Sequence, residues 1–168
     1  MTFATMSHYV EENLAGETAA YLNTRADAFS GYFGLNNYFN EDTVKSVMSR
    51  LISHWIAAND PGETAMVFTE LPYTGFDNRA DIGVVYLTQD GCPIPTQTFY
   101  IELKTDFYAE SVNADINLLD LIAGVGNSPI TRACVFYTVF DHNDGWTRYI
   151  ERPTQVNVGA RGIHVTSP

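Results

Sequence analysis

The sequence predicts an α/β (α+β) fold, in which a mixed central sheet is flanked by helices. A strongly periodic helical segment (41–59) is followed by three strand-like segments, at 64–71, 79–87 and 97–105. A second helical segment (107–124) leads to a nearly all-apolar strand (132–140), which is typical of a central position in a sheet. Helices that precede and interrupt a run of strands are expected to pack on the faces of that sheet.

The residues before the first strand predict helices. Residues 6–22 have helical spacing with Gly16 as a weak point, whereas residues 24–40 are rich in Gly, Asn and aromatic residues and predict irregular structure or a short helix. Segment 41–59 is clearer, because its apolar residues recur at intervals of three and four along one face. They are Val44, Val47, Met48, Leu51, Ile52 and Trp55.

The limits of these elements follow from capping and turn residues. Asn40 or Asp42 is suited to cap the helix at 41–59, and Pro61 with Gly62 ends it. The stretch PYTGFDN predicts a hairpin turn between the first two strands, and TQDGCPIPT predicts a loop before the third. Residues 145–151 predict one more edge strand.

Length and composition describe one globular domain. With 168 residues, we expect a single domain that has its core at about 41–140 and an N-terminal helical extension at 1–40. No apolar run is long enough for a transmembrane helix, and the N-terminus lacks the features of a signal peptide. Cys92 and Cys134 have no CxxC partner and predict reduced thiols. A cytoplasmic protein with no membrane partner is expected.

The charge is strongly acidic, at a net −11. It is concentrated in residues 65–131, which carry nine acidic and two basic side chains. This field opposes nonspecific attraction to nucleic acid. A cluster of carboxylates is either a solvated face or a site that holds a cation.

One of only two lysines in the chain lies in the third strand, in FYIELKTD (99–106). Since alternate side chains of a strand share a face, Glu102 and Lys104 project together, while Ile101 and Leu103 face a packed layer. A neighbouring strand can bring Asp81 beside Glu102, and two such carboxylates repel unless a proton or cation lies between them. Mg²⁺ or Mn²⁺ favours oxygen sites of this kind. The alternative is a surface Glu–Lys pair on an edge strand.

The stretches NRADIGVVYL and FYIELKTD resemble the PD-(D/E)xK nuclease superfamily, and the resemblance extends over roughly residues 41–140. It implies a restriction-endonuclease-like αβββαβ core and Mg²⁺- or Mn²⁺-dependent hydrolysis of nucleic acid, with DNA as the expected substrate. The resemblance also implies that Asp81, Glu102 and the backbone carbonyl of Leu103 bind the metal, with Lys104 as a catalytic residue.

Two further carboxylates are candidate catalytic residues. If the first hairpin turns symmetrically on residues 74–77, Glu70 lies opposite Asp81, although a solvated edge charge is an equal alternative. The family often has an acidic residue on the helix before the sheet, and Glu41 fits that position best. The alternative is that Glu41 only stabilises the N-terminus of the helix, where acidic side chains interact favourably with the helix dipole. The rivals of Glu41 are Glu11, Glu12 and Asp42.

Several polar and aromatic residues are candidate contacts to nucleic acid, and the alternative for each is structural packing or simple solvent exposure. The arginines are Arg79, Arg132, Arg148, Arg152 and Arg161, and the rings that are suited to stack on bases are Tyr73, Phe76, Tyr108 and Trp146. On the helix after the third strand, Asn113, Asn117 and Asp120 form a polar stripe that faces either the site or solvent, with Asn117 as the candidate contact.

Three functions remain open from the sequence. The first is a small metal-dependent nuclease that acts as a homodimer or with a protein partner that supplies DNA affinity. The second is a catalytically silent protein-binding module or an acidic inhibitor that mimics DNA, which the net charge favours. The third is an unrelated domain in which the Glu-Leu-Lys sequence is accidental.

Overall fold

The structure, a computed structural model, describes residues 2–33, 39–60, 62, 64–73, 75–106, 108–125, 132–141 and 144–166, and for residues 27–33 the backbone only. It contains an open five-stranded mixed sheet with helices, so the α+β class is confirmed. The strands are β1 (Ala65–Pro72), β2 (Arg79–Leu87), β3 (Pro93–Lys104), β4 (Arg132–Phe140) and β5 (Val158–Val165). They lie in sequence order, with β1, β2 and β3 antiparallel and β3, β4 and β5 parallel.

The N-terminal extension is more helical than predicted. Helix α1 (Phe3–Glu12) ends at Asn13, and α2 (Leu14–Phe33) continues through Gly16. Residues 24–40 were predicted to be irregular or a short helix, and as far as residue 33 they continue the long helix α2, because packing of α2 against β5 and the next helix overrides the low helix propensity of Gly31. Residues 34–38 lie outside the described residues.

Helix α3 (Glu41–Asn59) is the segment that the apolar periodicity predicted. Asn40 is its N-cap, and its side-chain oxygen accepts a hydrogen bond from the backbone N–H of Thr43 at 2.8 Å. The predicted apolar face is buried at Val44, Val47, Met48 and Ile52, and Leu51 and Trp55 pack at its margin. Gly62 follows in a turn, while Pro61 lies outside the described residues.

The predictions of the first four strands are confirmed. The differences are the start of β3 and the position of the last edge strand. Strand β3 begins at Pro93, inside the segment predicted as a loop. Residues predicted as a last edge strand form instead a 3₁₀-helix, η1 (Asp144–Tyr149), and the true edge strand is β5. Helix α4 (Ala109–Gly124) connects the parallel strands β3 and β4, as expected for such a connection.

Two apolar layers cover the sheet. One joins α1, α2 and α3 to residues that include Ile82, Ile101 and Leu103. The other joins the apolar face of α4 to residues that include Tyr73, Tyr100 and Val135. The alternation predicted for FYIELKTD is therefore confirmed, since Ile101 and Leu103 are fully buried in the first layer. The alternating polar side chains, Glu102 and Lys104, face the α4 side of the sheet.

The hairpin between β1 and β2 has the symmetric register that the sequence predicted. Thr69 pairs with Ile82 and Leu71 with Ala80, which leaves Glu70 opposite Asp81. Glu70 is the one non-glycine residue of the described ranges with a left-handed backbone, at φ 56°. Just beyond it, Leu71 occupies the space that a β-carbon on Gly83 would need, at 2.2 Å. Gly83 therefore permits the close approach of this kinked strand end.

Candidate functional site

The candidate site lies where β2 and β3 stop pairing. Their last directly opposed residues at this end are Ile82 and Ile101, and Asp81 and Glu102 come next on each strand. In place of a further backbone pair, the Asp81 carboxylate (Oδ2) accepts a hydrogen bond from the backbone N–H of Leu103 at 2.8 Å. The sheet thus opens at this end, and acidic side chains line the opening.

Glu102 is a buried carboxyl group, with 7% of the residue exposed. This excludes the alternative of a solvated Glu–Lys pair on the protein surface. The Tyr73 hydroxyl donates a hydrogen bond to Glu102 Oε1 at 2.5 Å. Tyr73 is itself buried, at 1% exposure, in the turn after β1. The prediction that this ring stacks on bases is therefore wrong, because the Tyr73 side chain supports Glu102 instead.

Asp81 and Glu102 form the close carboxylate pair that the sequence predicted. Burial above all, and then the negative charges of Asp81 and Asp115, raise the pKa of Glu102 to about 8, although the hydrogen bond from Tyr73 lowers it. The Glu102 side chain is also within hydrogen-bonding reach of the Asp81 side chain when one of the two is protonated. A proton or a cation is needed to hold these two groups together.

Lys45, on the second turn of α3, is a site residue that the sequence reasoning missed. Its ammonium is 2.6 Å from Glu70 Oε1 and 2.9 Å from Asp81 Oδ1. Burial lowers its pKa, but the hydrogen bonds to Glu70 and Asp81 outweigh this and raise the pKa of Lys45 well above its usual value. Lys45 is therefore a fixed positive charge between the two opposed carboxylates of the hairpin.

Lys104 has a partner of its own on the other side of the site. Its ammonium lies 3.2 Å from Asp115 Oδ2, on the second turn of α4. Although burial lowers the pKa of Lys104, the negative charges of Asp115, Glu41 and Asp81 raise it overall. Burial also raises the pKa of Asp115, against the opposing effect of Lys104. The sequence reasoning missed Asp115 as well.

Glu41 completes the cluster from the first turn of α3. Burial, followed by the charge of Asp81, raises the pKa of Glu41, and Lys104, Lys45 and Asp115 also act on it. This carboxylate is thus within electrostatic range of both lysines, as expected of a site residue. Its neighbour Asp42, one of its rivals, is exposed.

The other rivals of Glu41 lie elsewhere. Glu11 is 2.9 Å from the guanidinium of Arg132, and Glu12 is 3.2 Å from that of Arg161. These two ion pairs tie α1 to β4 and β5. Arg132, a predicted nucleic-acid contact, is therefore engaged with a carboxylate of its own chain.

The remaining predicted contacts are spread over the surface. Arg79 and Asn117 are exposed. Arg148 donates a hydrogen bond to the Tyr149 hydroxyl at 2.8 Å and stacks over the Tyr149 ring. Of the predicted stacking rings, Tyr108 is exposed at 66%, while Phe76 and Trp146 pack against the second apolar layer.

The polar stripe on α4 holds the segment that leads from η1 to β5. Asn113 donates a hydrogen bond to the Tyr149 carbonyl and accepts one from the Glu151 N–H. Asp120 accepts hydrogen bonds from the backbone N–H groups of Thr154 and Gln155. The stripe is therefore structural at these two positions, and Asp115, on the opposite margin of the apolar face, is the α4 residue that reaches the site.

The cluster has more negative than positive groups. Its five carboxyl groups are Glu41, Glu70, Asp81, Glu102 and Asp115, and its two cations are the only lysines of the chain. Within the described residues, no group of three or more His, Cys, Asp or Glu side chains is arranged ready to hold a metal ion. The adjacent, incompletely neutralised carboxyl groups of Asp81 and Glu102 nevertheless fit an oxygen-preferring divalent cation as two of its ligands.

Comparison with protein-family models, with curated proteins and with solved structures finds no match to this chain. In the part of the chain that the structure describes, none of the helices is long and apolar enough to cross a membrane. Both cysteines are free thiols, Cys92 exposed and Cys134 buried.

Proposed function

We propose that the protein is a metal-dependent nuclease that hydrolyses phosphodiester bonds at the open end of β2 and β3. The observation that carries the proposal is the convergence of Asp81, Glu102 and Lys104 on two neighbouring strand ends, with the Glu102 carboxyl group buried beside that of Asp81. A restriction-endonuclease-like core and a DNA substrate are parts of this proposal.

Asp81, Glu102 and the Leu103 carbonyl are the proposed ligands of Mg²⁺ or Mn²⁺. In a β-strand, the N–H and C=O of one residue point to the same side, and the Leu103 N–H faces Asp81. The Leu103 carbonyl therefore also faces that side. A bound divalent cation supplies Lewis-acid stabilisation of phosphate oxygens and a more acidic water. Tyr73 and the Leu103 N–H hold the two carboxyl groups in place for it.

Lys104 acts in this proposal as a fixed positive charge beside the scissile phosphate. Its raised pKa keeps it protonated at neutral pH, so it stabilises the negative charge that develops on phosphate rather than accepting a proton. The proton of the attacking water then passes to a carboxylate. Glu41 is the candidate acceptor, because it lies within electrostatic range of Lys104 and Asp81 and because burial raises its pKa, which makes it a stronger base.

A catalytically silent binding module is the second candidate. It is favoured by the contacts of the two lysines, since Lys45 and Lys104 already pair with carboxylates of the same chain. With both lysines engaged inside the chain, the excess of acidic groups on a chain of net charge −11 is suited to bind a basic protein surface.

The deciding experiment is a cleavage assay on supercoiled plasmid, single-stranded DNA and single-stranded RNA. Wild type and Lys104→Ala are compared with Mg²⁺, Mn²⁺ or EDTA, and Arg50→Ala, which removes an exposed cation of α3, is the matched control. We expect metal-dependent cleavage by wild type and Arg50→Ala and none by Lys104→Ala. Absence of cleavage of all three substrates by wild type would reject the nuclease in favour of the binding module.

A further inference from the structure

The chain places both of its lysines in one carboxylate cluster, but the two have different partners. Among the described residues, Lys104 forms an ion pair with Asp115, whereas Lys45 is within 2.9 Å of both Glu70 and Asp81. Asp81 is also a proposed metal ligand. Lys45 therefore forms an ion pair with the Asp81 carboxylate, which is the group that the divalent cation is proposed to bind.

Both oxygens of the Asp81 carboxylate are engaged without a metal. Oδ1 faces the Lys45 ammonium, and Oδ2 accepts the Leu103 N–H. A divalent cation that binds Asp81 must therefore approach an ammonium group at close range, in a partly buried site where charge repulsion is poorly screened. Lys45 has a second acceptor, however, because Glu70 is closer to it than Asp81 and more than half exposed.

The backbone of Glu70 supports the same interpretation. A left-handed conformation is costly for a glutamate and persists only where neighbouring contacts hold it. Here the contacts are the Lys45 ammonium and the packing of Leu71 over Gly83. The hairpin thus presents Glu70 as an acceptor at the side of the site.

We propose that Lys45 is a resident counter-ion of the site, which occupies Asp81 in the metal-free protein and moves onto Glu70 alone when a divalent cation binds. This inference rests on the metal site of the proposed function. Lys45 thereby sets the metal concentration at which the site fills and keeps the metal-free cluster stable.

The test is a calorimetric titration of Mn²⁺ into wild type, Lys45→Met, Lys45→Gln and Lys45→Arg, without nucleic acid. We expect both neutral variants to bind Mn²⁺ at least about tenfold more tightly than wild type, because two cations that compete for one group weaken each other's binding equally. Lys45→Arg keeps the charge and is expected to bind like wild type. Circular dichroism establishes that each variant is folded.

Glu70→Gln gives a second test that does not remove Lys45. With Glu70 neutral, Lys45 is held by Asp81 alone, so Mn²⁺ affinity is expected to fall in the wild-type background and to stay unchanged in the Lys45→Gln background. A fall in both backgrounds would make Glu70 a ligand rather than an acceptor for Lys45, and would overturn this part of the inference.

The outcomes separate the inference from the proposed function. Unchanged or weaker Mn²⁺ binding in Lys45→Gln, with metal-dependent cleavage intact in wild type, overturns the role of Lys45 alone. Absence of Mn²⁺ binding in wild type and in both neutral variants overturns the inference and the metal-dependent function together. Tighter binding in the neutral variants without any cleavage by wild type supports the counter-ion and rejects the nuclease.

Discussion

Acidic and basic side chains meet in two regions of this molecule, in different proportions. Where α1 packs on β4 and β5, Glu11 has Arg132 and Glu12 has Arg161, one cation for each carboxylate. At the open end of β2 and β3, two lysines face five carboxyl groups, and the pKa values of Glu41, Glu102 and Asp115 are raised, mainly by burial. The first region is balanced and joins elements of the fold. The second is unbalanced, because it has more carboxyl groups than cations. Burying the excess carboxyl groups destabilises the fold, and such arrangements with perturbed pKa values are typical of functional sites.

The largest predicted effect is a loss of metal-dependent cleavage that occurs in variants of the unbalanced region and not in variants of the balanced one. Asp81→Asn and Glu102→Gln each replace a proposed metal-ligating carboxyl group with an amide and are expected to reduce metal-dependent cleavage by about a thousandfold. Glu11→Gln makes the same chemical change in the balanced region and is expected to leave the rate unchanged. Plasmid cleavage rates under saturating Mg²⁺ measure this. Equal losses in all three variants would mean that the effect is on folding.

A smaller effect is expected for the hydrogen bond that holds Glu102. Tyr73→Phe removes the donor at 2.5 Å, and since that bond lowers the pKa of Glu102, the pKa rises further in the variant. We expect cleavage at neutral pH to fall about tenfold and the rising part of the pH–rate profile to move to higher pH. Tyr100→Phe alters a neighbouring ring and serves as the control. A lower rate with an unmoved profile would contradict the account.

The excess of acid also predicts how stability depends on pH. Glu102 has a folded-state pKa of about 8 and an unfolded value near about 4.3, so the folded protein alone holds its proton between these values. The contribution of Glu102 to the free energy of unfolding of the metal-free protein is thus fully present below the unfolded pKa and is lost as the pH rises through about 8. We expect this contribution to be about 1–3 kcal/mol.

Urea unfolding in EDTA at several pH values measures this dependence. Glu102→Gln has no titratable carboxyl group at this position, so its free energy of unfolding is expected to depend less on pH. Mn²⁺ is expected to restore the stability of wild type at pH 8. A wild-type curve that rises over this range would show that Glu102 is stabilised as the anion.

The smallest effect is expected in the balanced region. Glu11→Gln breaks the ion pair with Arg132, whose side chain is 42% exposed. Such pairs contribute little, so we expect a loss of at most about 1 kcal/mol that largely disappears in 1 M salt. Urea unfolding at low and high salt measures it. A larger, salt-independent loss would mean that this pair is part of the core rather than a surface tie.

The sequence predicted the strand residues of the site and missed two on the helices. Alternation along β3 places Glu102 and Lys104 on one face, and the symmetry of the first hairpin places Glu70 opposite Asp81. Lys45 and Asp115 are different, because helical periodicity identifies the buried face but not which polar margin meets which strand end. The rarity of lysine in the chain, with Lys45 one turn after Glu41, was the available signal for the first of them.

Strand β5 was missed for a related reason. Its sequence VGARGIHV contains two glycines and alternates poorly, whereas residues 145–151 are rich in β-favouring Trp, Thr, Tyr and Ile and yet begin in a 3₁₀-helix. Pairing with β4 makes the glycine-containing segment a strand. In the 3₁₀-helix, the Trp146 ring instead packs on Tyr137. Both depend on contacts between distant parts of the chain.

The most direct test of the central claim is the binding of Mn²⁺ to the unbalanced cluster. Calorimetric titration of wild type, Asp81→Asn and Glu11→Gln at pH 7.5 compares the two regions in one measurement. The account predicts a Mn²⁺ site in wild type that Glu11→Gln retains and Asp81→Asn loses. Absence of binding in wild type, or equal binding in all three proteins, would contradict it.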